Sequence, residues 1–151
     1  MKTTAMIVAA TVLCAGLLIG GGKKTTPVEA EAMVKKAVAF YKENGKEKAF
    51  AAFNDQNGKF TMGDLYIVVY DLTGKCVAHG ANPKQIGKDV IGMKDPDGKA
   101  FVKECVEIAK TRGKGWQNYK WSNPSTGTIE PKTMYLESVD NLIFGASAYT
   151  K

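Results

Sequence analysis

Residues 113–149, GKGWQNYKWSNPSTGTIEPKTMYLESVDNLIFGASAY, constrain this chain more than any other stretch. Three runs rich in β-branched and aromatic residues, 115–121, 132–138 and 142–149, are separated by the turn formers Asn123-Pro124-Ser125-Thr126-Gly127 and Asp140-Asn141. That is the pattern of a three-stranded antiparallel meander, which must bury at least one face. Trp116, Tyr119, Trp121 and Tyr135 bring more aromatic surface than a small core requires, and they are grouped with one lysine, Lys132, where a strand begins after Pro131. A lysine at a strand end is ordinarily solvated, but one walled by rings can hold a carboxylate through a charge-assisted bond worth about 1.5–3 kcal/mol. The segment therefore suggests a small pocket. Tyr119 and Trp121 are two apart and share a face, whereas Trp116 points the other way unless a bulge intervenes.

Upstream, residues 31–44 (EAMVKKAVAFYKEN) place Met33, Ala37, Phe40 and Tyr41 at helical spacing and stop at Gly45, so a first helix is expected. A shorter helix follows over 47–53. It closes on Asn54-Asp55-Gln56-Asn57-Gly58, which resembles half a calcium loop but lacks the later ligands and reads as a turn. Residues 65–71 (LYIVVYD) turn through Leu72-Thr73-Gly74-Lys75 into 76–80 as a hairpin. Residues 81–94 have too many glycines for a regular element and read as a loop over one face of the sheet, where binding residues tend to sit. Asp95-Pro96-Asp97-Gly98 leads into a third helix over 100–111, striped by Phe101, Val102, Cys105, Ile108 and Ala109. The order fits an α+β fold, a five-stranded antiparallel sheet with helices on one side.

The first residues, MKTTAMIVAATVLCAGLLIGGG, have a cationic start and an apolar run ending at Lys23 and Lys24, as an export signal does. Small-x-small patterns place cleavage near Ala30, giving a leader over 1–30 and one domain over 31–151; an uncleaved membrane anchor is the alternative. Cys14 belongs to the apolar run, because Leu13 is bulky where a lipobox carries a small residue. Without Lys2, Lys23, Lys24 and Glu29 the chain keeps 18 cations and 14 anions, scattered rather than striped, which argues against nucleic-acid binding. Cys76 and Cys105 would then be the remaining cysteines. Export permits a disulfide between them, worth roughly 3–4 kcal/mol by chain entropy, but two cysteines carry no spacing signature, and two buried thiols on a strand and a helix are the preferred reading.

Enzyme chemistry is poorly supplied. His79 is the only histidine, so multi-histidine metal sites are excluded and any nucleophile–base pair would depend on it. CxxCH, a P-loop and a complete dinucleotide loop are all absent. No catalytic residue, metal site or cofactor is expected. His79 itself reads either as a structural residue or as a donor facing a ligand.

A string of motifs then resembles a single Cache domain of the second type, the extracytoplasmic sensor module of bacterial receptors. They are Gly45-Lys46-Glu47-Lys48-Ala49, the run from Gly63 to Asp71, Gly74-Lys75 with Ala78-His79, Ile86-Gly87-Lys88-Asp89, and Asp95-Pro96-Asp97-Gly98-Lys99. Gly115-Trp116 with Tyr119-Lys120-Trp121, Pro131-Lys132 with Tyr135, and Gly145 with Tyr149 complete it. The resemblance implies a PAS-like sheet behind a long helix and a pocket for a short carboxylate such as acetate, propionate, lactate or pyruvate. It implies ligand-binding roles for Tyr119, Trp121, Lys132 and Tyr135, and for His79 and Trp116. Receptors of this type carry a signalling domain after the module, whereas this sequence ends just after the last strand. The expectation is a free-standing periplasmic binding domain that presents its ligand to a partner such as a membrane receptor, or one tethered by its leader. The competing expectation is an interaction module that forms a homodimer through its N-terminal helix.

Overall fold

The computed structural model describes residues 24–151. Residues 1–23 of the leader expected over 1–30, Cys14 included, lie outside the described residues, whereas 24–30 are described and run into the first helix. Helix α1 (Pro27–Asn44) starts four residues earlier than the hydrophobic spacing indicates. Thr26 caps it: its hydroxyl accepts from the Glu29 N–H at 3.2 Å, and the Glu29 carboxylate accepts from the Thr26 N–H at 2.9 Å. Pro27 at the first helical position needs no amide partner there. Ala30, Met33, Val34, Ala37 and Val38 form the buried stripe of α1, and Gly45 ends it before α2 (Lys46–Asn54).

A two-stranded ribbon of β1 (Thr61–Met62) and β2 (Leu65–Tyr66) precedes the main sheet. The run 65–71 is thus divided: its first two residues pair in the ribbon and its end forms β3 (Val68–Asp71), which pairs with β4 (Cys76–His79). Helix α3 (Phe101–Arg112) then leads into β5 (Lys114–Asn123), β6 (Thr128–Val139) and β7 (Leu142–Tyr149). The five strands stand in the order β4-β3-β7-β6-β5, with every neighbouring pair antiparallel. Asp140 and Asn141, both at positive φ (52° and 61°), make the two-residue hairpin turn that pairs Val139 with Leu142 and, by counting outward, Lys132 with Tyr149.

The helices do not share one side of the sheet, which corrects the single-sided layout. The reason lies in β7, whose eight residues are all buried: Leu142, Phe144, Ala146 and Ala148 face one way and Ile143 the other. A strand with two apolar faces needs a cover on each. Helices α1 and α2 cover the first through Val34, Ala37 and Phe53, with Phe53 edge-on to Phe60 and Phe144. Helix α3 covers the second through Val102, Cys105 and Ile108. Cys76 and Cys105 both belong to this second layer as buried free thiols, so the bridge weighed from sequence is not formed. The Cys105 sulfur instead accepts from Gln117 Nε2 at 2.6 Å.

Phe40, on the N-terminal helix, packs at 5.3 Å between ring centroids against Phe60 and lies under the Lys59 ammonium at 3.7 Å. The exposed positions of α1 include Lys35, Lys36, Lys42 and Glu43, a charged face. No helix among the described residues is long and apolar enough to cross a membrane.

The position of the cap makes the start of the domain testable. A chain beginning at Glu31 loses the Thr26 cap, the fully buried Ala30 and the bond from Thr25 to Asp64. It is expected to unfold at lower denaturant than one beginning at Lys24, by roughly 1–3 kcal/mol. Equal urea midpoints would contradict the role given to the cap.

Candidate functional site

Three strands converge on Lys132. In the β5–β6 register Lys132 lies directly opposite Tyr119, and in the β6–β7 register directly opposite Tyr149, so all three side chains stand on the α3 face of the sheet. Lys132 is 2 % exposed. Its ammonium sits 4.5 Å from the centroid of the Tyr149 ring and 5.4 Å from that of Tyr66. It makes no hydrogen bond or ion pair with another described residue; the charge that acts on it is Asp64, whose carboxylate accepts a hydrogen bond from Thr25. Burial pulls the Lys132 ammonium down from an ordinary value near 10.5 to about 8, and Asp64 opposes that shift without cancelling it.

His79, at the end of β4, is held in one protonation state. Its Nδ1 accepts from the backbone N–H groups of Ala81 and Asn82 at 3.2 and 2.9 Å. A nitrogen that accepts two bonds carries no proton, so the ring is neutral and its one proton is on Nε2. Burial, and secondarily the Lys132 charge, push His79 down to about 4, in keeping with that arrangement. The ring lies at 5.1 Å and 28° to Tyr66, stacked on it. Gly80 permits this packing, because a Cβ there would meet Tyr66 Cβ and the Phe53 carbonyl oxygen at 3.0 Å.

Two chambers open from these residues. The inner one, about 130 Å³, has His79 in its wall together with Val68, Val90, Phe101, Tyr119 and Met134. The outer one, about 570 Å³, is lined by Gln56, Asp64, Lys132, Pro124 and Tyr149. Tyr66, Ala81, Asn82 and Trp121 line both, which places them at the junction. The Tyr119 hydroxyl bonds Ser147 Oγ at 2.9 Å and its ring stacks on Phe101 at 4.6 Å, fixing it as wall. The 81–94 segment crosses this face as the loop pattern implied. It is pinned to β4 by Gly87 N–H to the Cys76 carbonyl at 2.8 Å and Cys76 N–H to the Lys88 carbonyl at 2.9 Å, and to the turn before β4 by Val90 N–H to the Gly74 carbonyl at 3.0 Å.

Of the residues singled out from sequence, the structure brings His79, Tyr119, Trp121 and Lys132 together around the two chambers. It does not bring Trp116 and Tyr135 there. They oppose each other across β5 and β6 on the α1 face, 4.9 Å between ring centroids, with the Tyr135 hydroxyl donating to Glu137 and Trp116 40 % exposed. Strand alternation is the reason: Tyr135 is three residues from Lys132 and Trp116 three from Tyr119, and no bulge interrupts this pairing. The rings that do flank the ammonium, Tyr149 and Tyr66, were missed as site residues. The Asp140-Asn141 turn fixes the register that puts Tyr149 opposite Lys132, so that one was legible; Tyr66 comes from a separate ribbon and left no local sign.

The model of the Single Cache domain 2 family matches residues 24–142. The chain belongs to that family. Among curated proteins it is 36 % identical over 74 residues to the methyl-accepting chemotaxis protein McpP of Pseudomonas putida, covering 49 % of this chain and 14 % of that protein. It is 34 % identical over 88 residues to the sensor histidine kinase MctS of Rhizobium johnstonii, covering 57 % of this chain and 19 % of that one. The matched part is thus less than a fifth of either relative. Among solved structures, a periplasmic sensor domain of a chemotaxis protein superposes with a TM-score of 0.63 at 25 % identity, over 82 % of this chain and 90 % of that one. A methyl-accepting chemotaxis protein from Vibrio parahaemolyticus gives 0.68 at 23 % identity, over 81 % and 86 %. A Cache chemosensory domain described for carboxylic acid recognition gives 0.62 at 24 %, over 82 % and 88 %. The chain therefore carries a sensor-type Cache fold, PAS-like in its α+β layout.

The buried ammonium carries a stability prediction. The folded value of Lys132 lies below the unfolded one, so between pH 8 and 10.5 the unfolded chain holds more protons and stability rises with pH. Lys132→Met is expected to stabilise the ligand-free protein at pH 7 by up to about 3 kcal/mol, a gain that disappears as pH approaches 10.5. Chemical denaturation across that range checks it; a destabilised variant at pH 7 would contradict the burial cost.

Proposed function

We propose that this domain is a periplasmic sensor module that reversibly binds a small organic carboxylate, without turnover, at the junction of its two chambers. The observation that carries the reading is the pair of donors on either side of that junction: in the outer wall a buried ammonium with no bonded acceptor among the described residues, and in the inner wall a neutral histidine whose proton is held on Nε2. A cation stripped of water with only rings beside it gains most from an anion, and the bond is strong because both partners are charged and shielded. The neutral histidine adds a donor without adding a second buried charge. The fold it shares with a domain described for carboxylic acid recognition, and with chemotaxis and kinase sensors, fits this use.

Tyr119 and Trp121 act as walls in this reading, and Lys132 and His79 as the anion donors. Tyr66 and Tyr149 join them, holding the ammonium in place. Trp116 and Tyr135 have no part in it.

Isothermal titration against short organic acids is expected to give binding that Lys132→Met abolishes. Affinity should be level below pH 8 and fall about tenfold per pH unit above it, because the free ammonium is lost there while the ligand stays ionised. Absence of binding by every acid, or a flat profile to pH 10, would overturn the assignment.

A further inference from the structure

The apolar part of the inner chamber's wall, a wall that also holds His79, Asn82, Gln85 and Ser147, is what an anion-binding reading leaves unused. The chamber lies beyond the junction residues, is fixed in shape by the pinned 81–94 segment, and its wall includes Val68, Val90, Met93, Phe101 and Met134. None of these can bind a carboxylate oxygen. Its volume, about 130 Å³, is close to that of an engineered apolar cavity of about 150 Å³ that takes up benzene. Lys132 and Met134 are two residues apart on one face of β6, about 6.6 Å along the strand, so the ammonium and the chamber wall are separated by the reach of a short alkyl chain.

Resting on the carboxylate reading, we propose that the inner chamber is a tail subsite and that the preferred ligands are saturated monocarboxylates of roughly four or five carbons. The head is held at the junction by Lys132 and His79, and the alkyl tail runs inward past Val68 to Met134. The outer chamber carries the charged groups of the site, Asp64 and Lys132, in its wall. Asp64 there also repels a second carboxylate, which disfavours dicarboxylates. Burying each added methylene in an apolar wall is worth about a fourfold gain in affinity, until the chamber is full.

The test is titration of the wild-type protein with the straight-chain series from acetate to octanoate, and with succinate. Affinity is expected to climb about fourfold per carbon to butyrate or valerate and then drop, with succinate binding more weakly than butyrate. Val90→Phe, which fills the chamber, should bring the valerate-to-acetate ratio towards one. In wild-type protein carrying methyl-labelled methionine, the terminal methyl of bound valerate should give an intermolecular nuclear Overhauser effect to the Met134 methyl. Acids that bind with acetate or propionate tightest, or valerate bound without that effect, would overturn the tail subsite while leaving the carboxylate reading standing. No binding by any member would overturn both.

Discussion

A lysine ammonium buried against two tyrosine rings, with no carboxylate bonded to it among the described residues, is the constraint on which the rest of this site depends. A ring face returns part of the lost hydration, about 2 kcal/mol for a desolvated cation, which is less than the several kcal/mol the charge forgoes on leaving water. The residual cost appears as the drop of Lys132 to about 8. The surroundings are arranged to keep that cost from growing. His79 stays neutral, because two backbone donors occupy Nδ1, so no second cation is buried beside the first. Asp64 supplies a distant counter-charge while its own oxygen is engaged by Thr25. The cation is tolerated but not neutralised, a state that favours an arriving anion.

The sheet can afford such a site because its two faces divide the labour. The α1 face is closed by aromatic packing among Phe40, Phe53, Phe60 and Phe144. The α3 face is packed by Val102, Cys105 and Ile108 at one end of the strands and opens into the chambers at the other, where Tyr119, Ser147 and Lys132 replace aliphatic side chains. Thr25, next to the α1 cap, bonds to Asp64 in the outer chamber, so the start of the long helix and the charge environment of Lys132 are physically joined.

Much of this was readable in the residues, and the failures have physical causes. The meander of β5, β6 and β7, and the prominence of Lys132, follow from local pattern. Turn chemistry at Asp140-Asn141 even specifies the partner of Lys132 across the sheet, although aromatic neighbours in sequence, Trp116 and Tyr135, looked more persuasive than a distant Tyr149. Period-two alternation sends those two to the other face. The position of the helices could have been read from β7, since LIFGASAY has no polar face to leave in water. Tyr66 is brought in by tertiary packing, and no local spacing encodes that, whereas the 81–94 loop over this face was legible from its glycines and lack of periodicity. The early start of α1 was hidden because Thr26, Pro27 and Glu29 are capping residues that carry no apolar periodicity.

Direct titration of Lys132 by nuclear magnetic resonance of its ε-carbon, with and without a saturating short carboxylate, bears most directly on the central claim. The account predicts a midpoint near pH 8 in the free protein and an upward displacement on ligand addition, because the bound anion favours the charged form. A midpoint near 10.5 that the acids leave unmoved would show an ammonium in contact with water and contradict it.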